Sequence, residues 1–136
     1  VLDLSQDQLD DLAGKGPILL TLFFTLNELY TASIGKTTAL LLSLSLTAKR
    51  GTLLLVVDSP GSYSETTVGK EAKKYPVQWL LDHALLGTEK SRSEEATASW
   101  MKVFSDDSRW FRLPDGLHYP IPLENMRYQI SLYRKI

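Results

Sequence analysis

Several groups of residues bring together side chains that could do chemistry. Asn27-Glu28-Leu29-Tyr30 places an amide, a carboxylate and a phenol directly after one apolar run. Asp58-Ser59-Pro60-Gly61 places a carboxylate and a hydroxyl directly after another. Gly35-Lys36-Thr37-Thr38, with Leu54-Leu55-Val56-Val57-Asp58 behind it, has the residue types of a phosphate loop and a magnesium-binding carboxylate. Arg109, Trp110 and Arg112 set two cations beside an aromatic ring, which suits tracking an RNA backbone and stacking a base. Each group has a plainer reading. Asn27-Glu28 can be a helix cap with a solvated charge, and Asp58 can cap a turn. Gly35-Lys36-Thr37 can be the first turn of a helix. Trp110 can pack inward while both arginines stay solvated. Trp79, Trp100 and Tyr128 read as core, and His83 as a surface or hydrogen-bonded residue. The residue types for Ser-His-Asp hydrolysis occur without a nucleophile turn.

Composition narrows the field. The 136 residues carry a net charge of -1, with 43% hydrophobic and 23% charged residues, which is ordinary for one folded domain. A strongly basic nucleic-acid module is excluded, though a local basic groove is not. With no cysteine there is no disulfide framework, thiolate zinc site or cysteine nucleophile, and two histidines make a histidine metal cage unpromising; no metal site is expected. The apolar-rich runs from Ile18 and Leu53 are too short for a membrane span of about 20 residues. No membrane partner is expected.

The elements that must hold these residues follow from pattern. Ser5 and Gln8 form a capping box for a short helix that Gly14 ends. Ile18 to Thr25 (ILLTLFFT) suits a strand covered on both faces. Ser33 caps a helix over 34–49, with Gly51 past its end. Thr52 to Asp58 (TLLLVVD) is a second strand, so the order is a right-handed βαβ unit. Ser59 to Ser62 make a turn, Pro76 opens a helix to Leu86, and Gly87 closes it. Thr88 to Glu95 reads as an exposed loop. Trp100, Val103 and Phe104 have helical spacing within Ala96 to Phe104, and Arg109 to Leu113 reads as a short strand. Asn125 to Lys135 alternates, with Met126, Tyr128, Ile130 and Leu132 on one side, as in a strand with one face buried. The sum is a mixed open α/β sheet, and ligands of such sheets bind beyond the carboxyl ends of the strands. That places Asn27 to Tyr30 and Asp58 to Gly61 at one site.

A nucleotide-binding NTPase requires the full loop of glycines whose N–H groups wrap the phosphates. The first glycine of that loop would fall on residue 30, which is Tyr30. The degenerate Gly35-Lys36-Thr37-Thr38 therefore leaves this function as an alternative only. A non-catalytic interaction remnant is a further alternative.

The blocks LFFTLNELY (22–30), LLLVVDSPGSYS (53–64), YPVQWLLD (75–82), DDSRWFRLP (106–114) and LENMRYQISLYR (123–134) carry a resemblance. The chain resembles a fungal family of S-adenosylmethionine-dependent methyltransferases that includes a uracil-N3 methyltransferase of the large-subunit ribosomal RNA. The resemblance implies a class I methyltransferase sheet with strand order 3-2-1-4-5-7-6. Ile18 to Thr25 would be strand 4, Thr52 to Asp58 strand 5, and the closing pair strands 6 and 7. Strands 1 to 3 and the glycine-rich cofactor loop have no counterpart. The expectation is a single partial domain over 1–136, the carboxyl-terminal half of such a sheet in the order 4-5-7-6 with flanking helices.

The resemblance also implies roles. S-adenosylmethionine is the implied cofactor and ribosomal RNA the implied substrate. The implied compartment is the nucleus or nucleolus, with cytoplasm as the other option. Methyl transfer is an in-line displacement in which the enzyme supplies alignment, and uracil N3 must lose a proton. Glu28 is the implied base, Asn27 a hydrogen-bond partner for the base edge, and Asp58 a third catalytic candidate. Leu26, Tyr30 and Ser59 are candidates for the cofactor wall, and Tyr63, Arg109, Trp110 and Arg112 for substrate. Without strand 1, the segment 18–25 becomes an apolar edge with no Lys or Pro inside it. The expectation is that it pairs with another chain or copy, is covered by the Leu4–Ala13 helix, or marks a truncation.

Overall fold

The structure is a computed structural model describing residues 1–61, 63–68, 71–87 and 99–136, with the side chains of 63–68 and 71–74 outside the description. Helix α1 (Gln6–Ala13) starts as its capping box dictates: Ser5 Oγ accepts from Gln8 N, and Gln8 Oε1 accepts from Ser5 N at 2.9 Å. Strand β1 (Leu19–Phe23) is followed by helix α2 (Leu26–Ala32) and helix α3 (Ile34–Thr47). Ser33 ends α2 and caps α3, its side chain accepting from Lys36 N. Gly51, at φ +91°, turns the chain into strand β2 (Leu53–Asp58). A two-stranded hairpin of β3 (Tyr63–Val68) and β4 (Glu71–Pro76) follows, which pattern alone did not indicate. Helix α4 (Val77–Leu86) begins after Pro76 and stops at Gly87, whose φ of +73° suits glycine. Strands β5 (Trp100–Phe111) and β6 (Met126–Lys135) close the chain.

The main sheet has four strands in the order β1-β2-β6-β5. β1 and β2 are parallel, joined through α2 and α3, while β6 is antiparallel to both β2 and β5. This is an α/β architecture with a mixed sheet and flanking helices.

The core lies on one face of the sheet. Leu54, Val56 and Tyr133 pack there with Leu41 of α3 and Leu81 and Leu85 of α4, and Trp100 completes it from β5. Trp100 Nε1 donates to Ser45 Oγ at 2.7 Å, so its polar atom is satisfied within the core. Alternation puts Leu19, Phe23, Leu55, Val57, Ile130 and Leu132 on the opposite face. Among the described residues no helix of the core cluster covers that face.

Four expectations are corrected here. β1 is not covered on both faces: Leu19 is 58% and Phe23 54% exposed, because α3 and α4 both pack on the other side. Trp100 to Phe104 is strand, not helix. β-bulges between Lys102 and Phe104 and between Asp106 and Arg109 break the two-residue period and imitate helical spacing. In β6 the fully buried side is Gln129, Ser131 and Tyr133, the more polar one. Those groups are buried because α4 supplies partners. Ser131 Oγ donates to Gln78 Oε1 at 2.7 Å, and Gln78 Nε2 donates to Tyr133 OH at 2.8 Å. Tyr133 OH donates to Asp82, which Lys102 also holds at 2.7 Å. α1 does not cover the β1 edge. It docks on the end of α3, where Gln6 Nε2 donates to Thr47 Oγ1 at 2.7 Å. The loop expected at 88–95 lies outside the described residues.

Candidate functional site at the strand ends

β1 and β2 end side by side, and the chain leaves β1 through Phe24, a non-glycine residue at φ +53°. Left-handed backbone is strained for a bulky side chain. It is held by a Phe24 N–H bond to Val57 O at 2.7 Å and delivers the chain directly into α2. Asp58 fixes the start of that helix. Thr25 makes no side-chain cap; Asp58 Oδ2 instead accepts from Asn27 N at 3.1 Å, and Oδ1 accepts from Ser59 N at 2.8 Å. Both carboxylate oxygens are thus engaged with backbone, in a buried position. Asp58 is a positioning group that ties the two strand ends together.

The other candidates fall as follows. Asn27 is half-buried beside Asp58, and Glu28 is exposed on the first turn of α2. Leu26 and Tyr30 are each 1% exposed in the core, beneath the site rather than on its surface. Burial holds the Tyr30 phenol well above the usual tyrosine range. Ser59 is exposed, with its carbonyl accepting from Gln129 Nε2 at 2.9 Å. Tyr63 begins β3, and its side chain lies outside the described residues.

β5 and β6 run past the end of β2. The β2–β6 pairing stops at Asp58 and Gln129, whereas Arg109, Trp110 and Phe111 pair with Tyr128, Arg127 and Met126 beyond it. The result is a two-stranded ribbon projecting from the site. Trp110 is 49% exposed and does not pack inward, since the ribbon has outrun the helices. The Arg112 and Arg127 guanidinium groups lie 4.9 and 5.4 Å from its ring centroid. Arg109 sits on the other side, 5.3 Å from the Phe104 ring and 3.7 Å from an Asp106 oxygen. Arg127 was missed by sequence reading, where nothing flagged a lone arginine in an alternating strand; its position opposite Trp110 is what matters. Trp79, read as core, is 48% exposed and stacked between Tyr75 and His83 at 4.8 and 5.2 Å.

The phosphate-loop alternative fails on geometry. Gly35 to Thr38 lie inside α3. Thr37 Oγ1 donates to Ser33 O at 2.7 Å and is buried, and exposed Lys36 pairs with Asp3 at 3.2 Å. A helix, α2, occupies the place where a phosphate cradle would lie.

Comparison with known proteins agrees with the resemblance. The model of a family described as "Putative SAM-dependent methyltransferase" matches residues 1–134. The chain belongs to this methyltransferase family. It is 40% identical over 121 residues, 89% of its length, to the 25S rRNA (uridine(2843)-N(3))-methyltransferase of Saccharomyces cerevisiae. The chain spans about a third (32%) of the length of that relative. No solved structure matches.

Family membership implies S-adenosylmethionine, and the residues present can be tested against it. Such a ligand needs a close backbone approach for its nucleoside and a free carboxylate for its ribose. Asp58 has no free oxygen, and Leu26 and Tyr30 are sealed in the core. Of the glycines, Gly61 follows β2 at φ +69° with open space around it, and Gly35 is helical. The described residues of this methyltransferase-family chain do not fit a complete cofactor site. No helix among the described residues is long and apolar enough to cross a membrane.

Proposed function

We propose that this chain is the substrate-side portion of an S-adenosylmethionine-dependent methyltransferase that methylates uridine N3 in large-subunit ribosomal RNA. The observation that carries the proposal is the 40% identity, over nearly the whole chain, to a yeast enzyme of that activity. The order β1-β2-β6-β5, with β6 alone antiparallel, supports reading the sheet as strands 4-5-7-6 of a class I methyltransferase. The strands and loop that hold the cofactor then belong to chain outside these 136 residues, and the partial domain completes theirs. Nuclear or nucleolar residence follows from the proposed substrate.

In this reading Glu28 receives the N3 proton, because an exposed carboxylate beside the strand ends is accessible to substrate. Asn27 aligns the base edge, and Asp58 positions Asn27 by gripping its backbone. Ser59 contributes to the cofactor-facing wall, with Leu26 and Tyr30 packed beneath it to fix its shape. Arg109, Trp110 and Arg112 of the ribbon bear on the RNA, as does Tyr63 at the start of β3.

The test uses the longer protein that includes this chain. Labelled S-adenosylmethionine and unmodified large-subunit ribosomal RNA should yield N3-methyluridine by nucleoside mass spectrometry. Glu28→Gln should lower the rate about 10²-fold or more, the usual contribution of a positioned base. Absence of any methylated uridine with folded, cofactor-loaded protein would overturn the proposal.

A further inference from the structure

Ser59, the first residue past β2, has its backbone held from two neighbouring strands. Asp58 Oδ1 accepts from its N–H at 2.8 Å, and Gln129 Nε2 of β6 donates to its carbonyl at 2.9 Å. We infer that Gln129 is a positioning residue for methyl transfer: together with Asp58 it fixes the Ser59 turn against the start of α2. The inference rests on the methyltransferase reading above and adds a residue from the third strand of the sheet.

The ladder explains why these two side chains meet. Asp58 and Gln129 are the last partners of the β2–β6 pairing. Directly opposite residues stand about 4.5–5.5 Å apart at Cβ and share a face. That face is the helix side, in line with Val56 opposite Ser131 and Leu54 opposite Tyr133. Asp58 is 4% and Gln129 9% exposed, and polar groups so buried are costly unless bonded. Further along the same face Ser131 and Tyr133 bond to Gln78 of α4, so the strand that carries Gln129 is itself fixed.

The residue type fits the task. A backbone carbonyl only accepts, so its partner must donate, and here the partner also stands beside a carboxylate. An amide donates without carrying charge. A carboxylate in its place would set oxygen against oxygen and a second negative charge beside Asp58. Pro60 has a fixed φ and confines Ser59 to extended backbone. With the N–H and the carbonyl of Ser59 both held, little of the turn is left to order on binding. Asp58 Oδ2 meanwhile holds Asn27 N at 3.1 Å. The turn and the first turn of α2, which carries Glu28, thus form one frame. Methyl transfer depends on alignment, so such a frame acts on turnover more than on affinity.

The test compares Gln129→Leu and Gln129→Glu with the wild type in the longer protein that includes this chain, by steady-state methyl transfer to ribosomal RNA. Gln129→Leu keeps the bulk and loses the donor. It should lower kcat about tenfold or more while KM for RNA changes less than about threefold. Gln129→Glu keeps the shape and lacks the donor only while ionised. Its carboxyl would face Asp58 of β2, Asp107 of β5 and Asp82 of α4, the last already paired with Lys102, while Arg127 on its own strand donates to Ser108. Burial and these acids raise the pKa of the new carboxyl, and once protonated it can donate to Ser59 O. Relative to wild type at the same pH, the kcat of Gln129→Glu should therefore rise from about pH 8 to about pH 6, whereas that of Gln129→Leu should stay flat. Taking the ratio cancels the titration of the proposed base, Glu28. Should Gln129→Leu fail to fold, the pH response of Gln129→Glu decides alone. If Gln129→Leu turns over as wild type does, or if Gln129→Glu shows no recovery as pH falls, the positioning role is overturned and the methyltransferase reading stands. If the wild type produces no N3-methyluridine, both are overturned.

Discussion

Tyr133 and Tyr30 are phenols whose surroundings oppose ionisation. Burial raises both, and at Tyr133 the adjacent Asp82 carboxylate raises it further through a hydrogen bond and its charge. An unfolded tyrosine loses its proton near pH 10. Above that pH the unfolded chain holds fewer protons than the folded one, so stability falls as pH rises, by about 1.4 kcal/mol per unit for each phenol. Below pH 10 the contribution is fully present. Absorbance titration at 295 nm should show two tyrosines that ionise only as the chain unfolds, and Tyr133→Phe should remove one. The two rings differ in another way. Tyr133 sits in a satisfied network, whereas Tyr30 OH is buried without a hydrogen-bond partner among the described residues. Tyr30→Phe should therefore leave stability unchanged or raise it by up to ~1 kcal/mol in urea denaturation, and a loss above that would mean the hydroxyl has a partner. At this scale the sequence was readable by residue type but not by direction. Asp58 was marked both as a site residue and as a cap, and only its two backbone partners decide for the cap. Trp79 was marked as core because an apolar helix does not say which of its faces meets solvent.

Elements with local signals were legible. Ser5 with Gln8, Ser33 before α3, and Gly87 after α4 each mark an end through a cap or a φ that glycine tolerates, and each end stands where those residues put it. Of β5 only the end read as the Arg109 to Leu113 strand was legible, because its bulges are set by pairing with β6, which is a non-local cause. The β3–β4 hairpin was missed because Glu65 to Lys74 is polar and lacks the alternation that betrays a half-buried strand. α2 is an intermediate case: the residue before it gives no side-chain cap, and its start depends on a carboxylate thirty-one positions away. Asp58→Ala should therefore act on α2 rather than on β2. It should destabilise the chain by about 1–2 kcal/mol, as loss of a helix cap does, and hydrogen exchange should quicken first at Asn27. Asp58→Asn keeps an acceptor and should lose less. Equal loss from both variants would point to burial, not capping, as the main role of the carboxylate.

At the scale of the molecule the unusual feature is a sheet that, among the described residues, is packed by helices on one face. The mixed α/β sheet with flanking helices was legible from the order of apolar runs and helix caps. The open face was not, since an apolar run reads as covered whatever covers it. Leu19 and Phe23 project from β1 at the sheet edge, beside Leu53, Leu55 and Val57 of β2. Burying one such side chain contributes about 1.5–3 kcal/mol. A soluble domain does not ordinarily leave a contiguous apolar face of this kind to water. If chain outside these residues covers the face and extends the sheet beyond β1, one double substitution should have opposite effects in two settings. In the isolated 136-residue chain, Leu19→Lys with Phe23→Lys removes exposed apolar surface. Its urea midpoint should stay within about 0.5 kcal/mol of the parent, and binding of a hydrophobic dye should drop. In the longer protein the same lysines would be buried without partners, so it should lose several kcal/mol or fail to fold. Tolerance of both lysines by the longer protein would show that the face is open there as well, and would remove the argument that this sheet is half of a larger one.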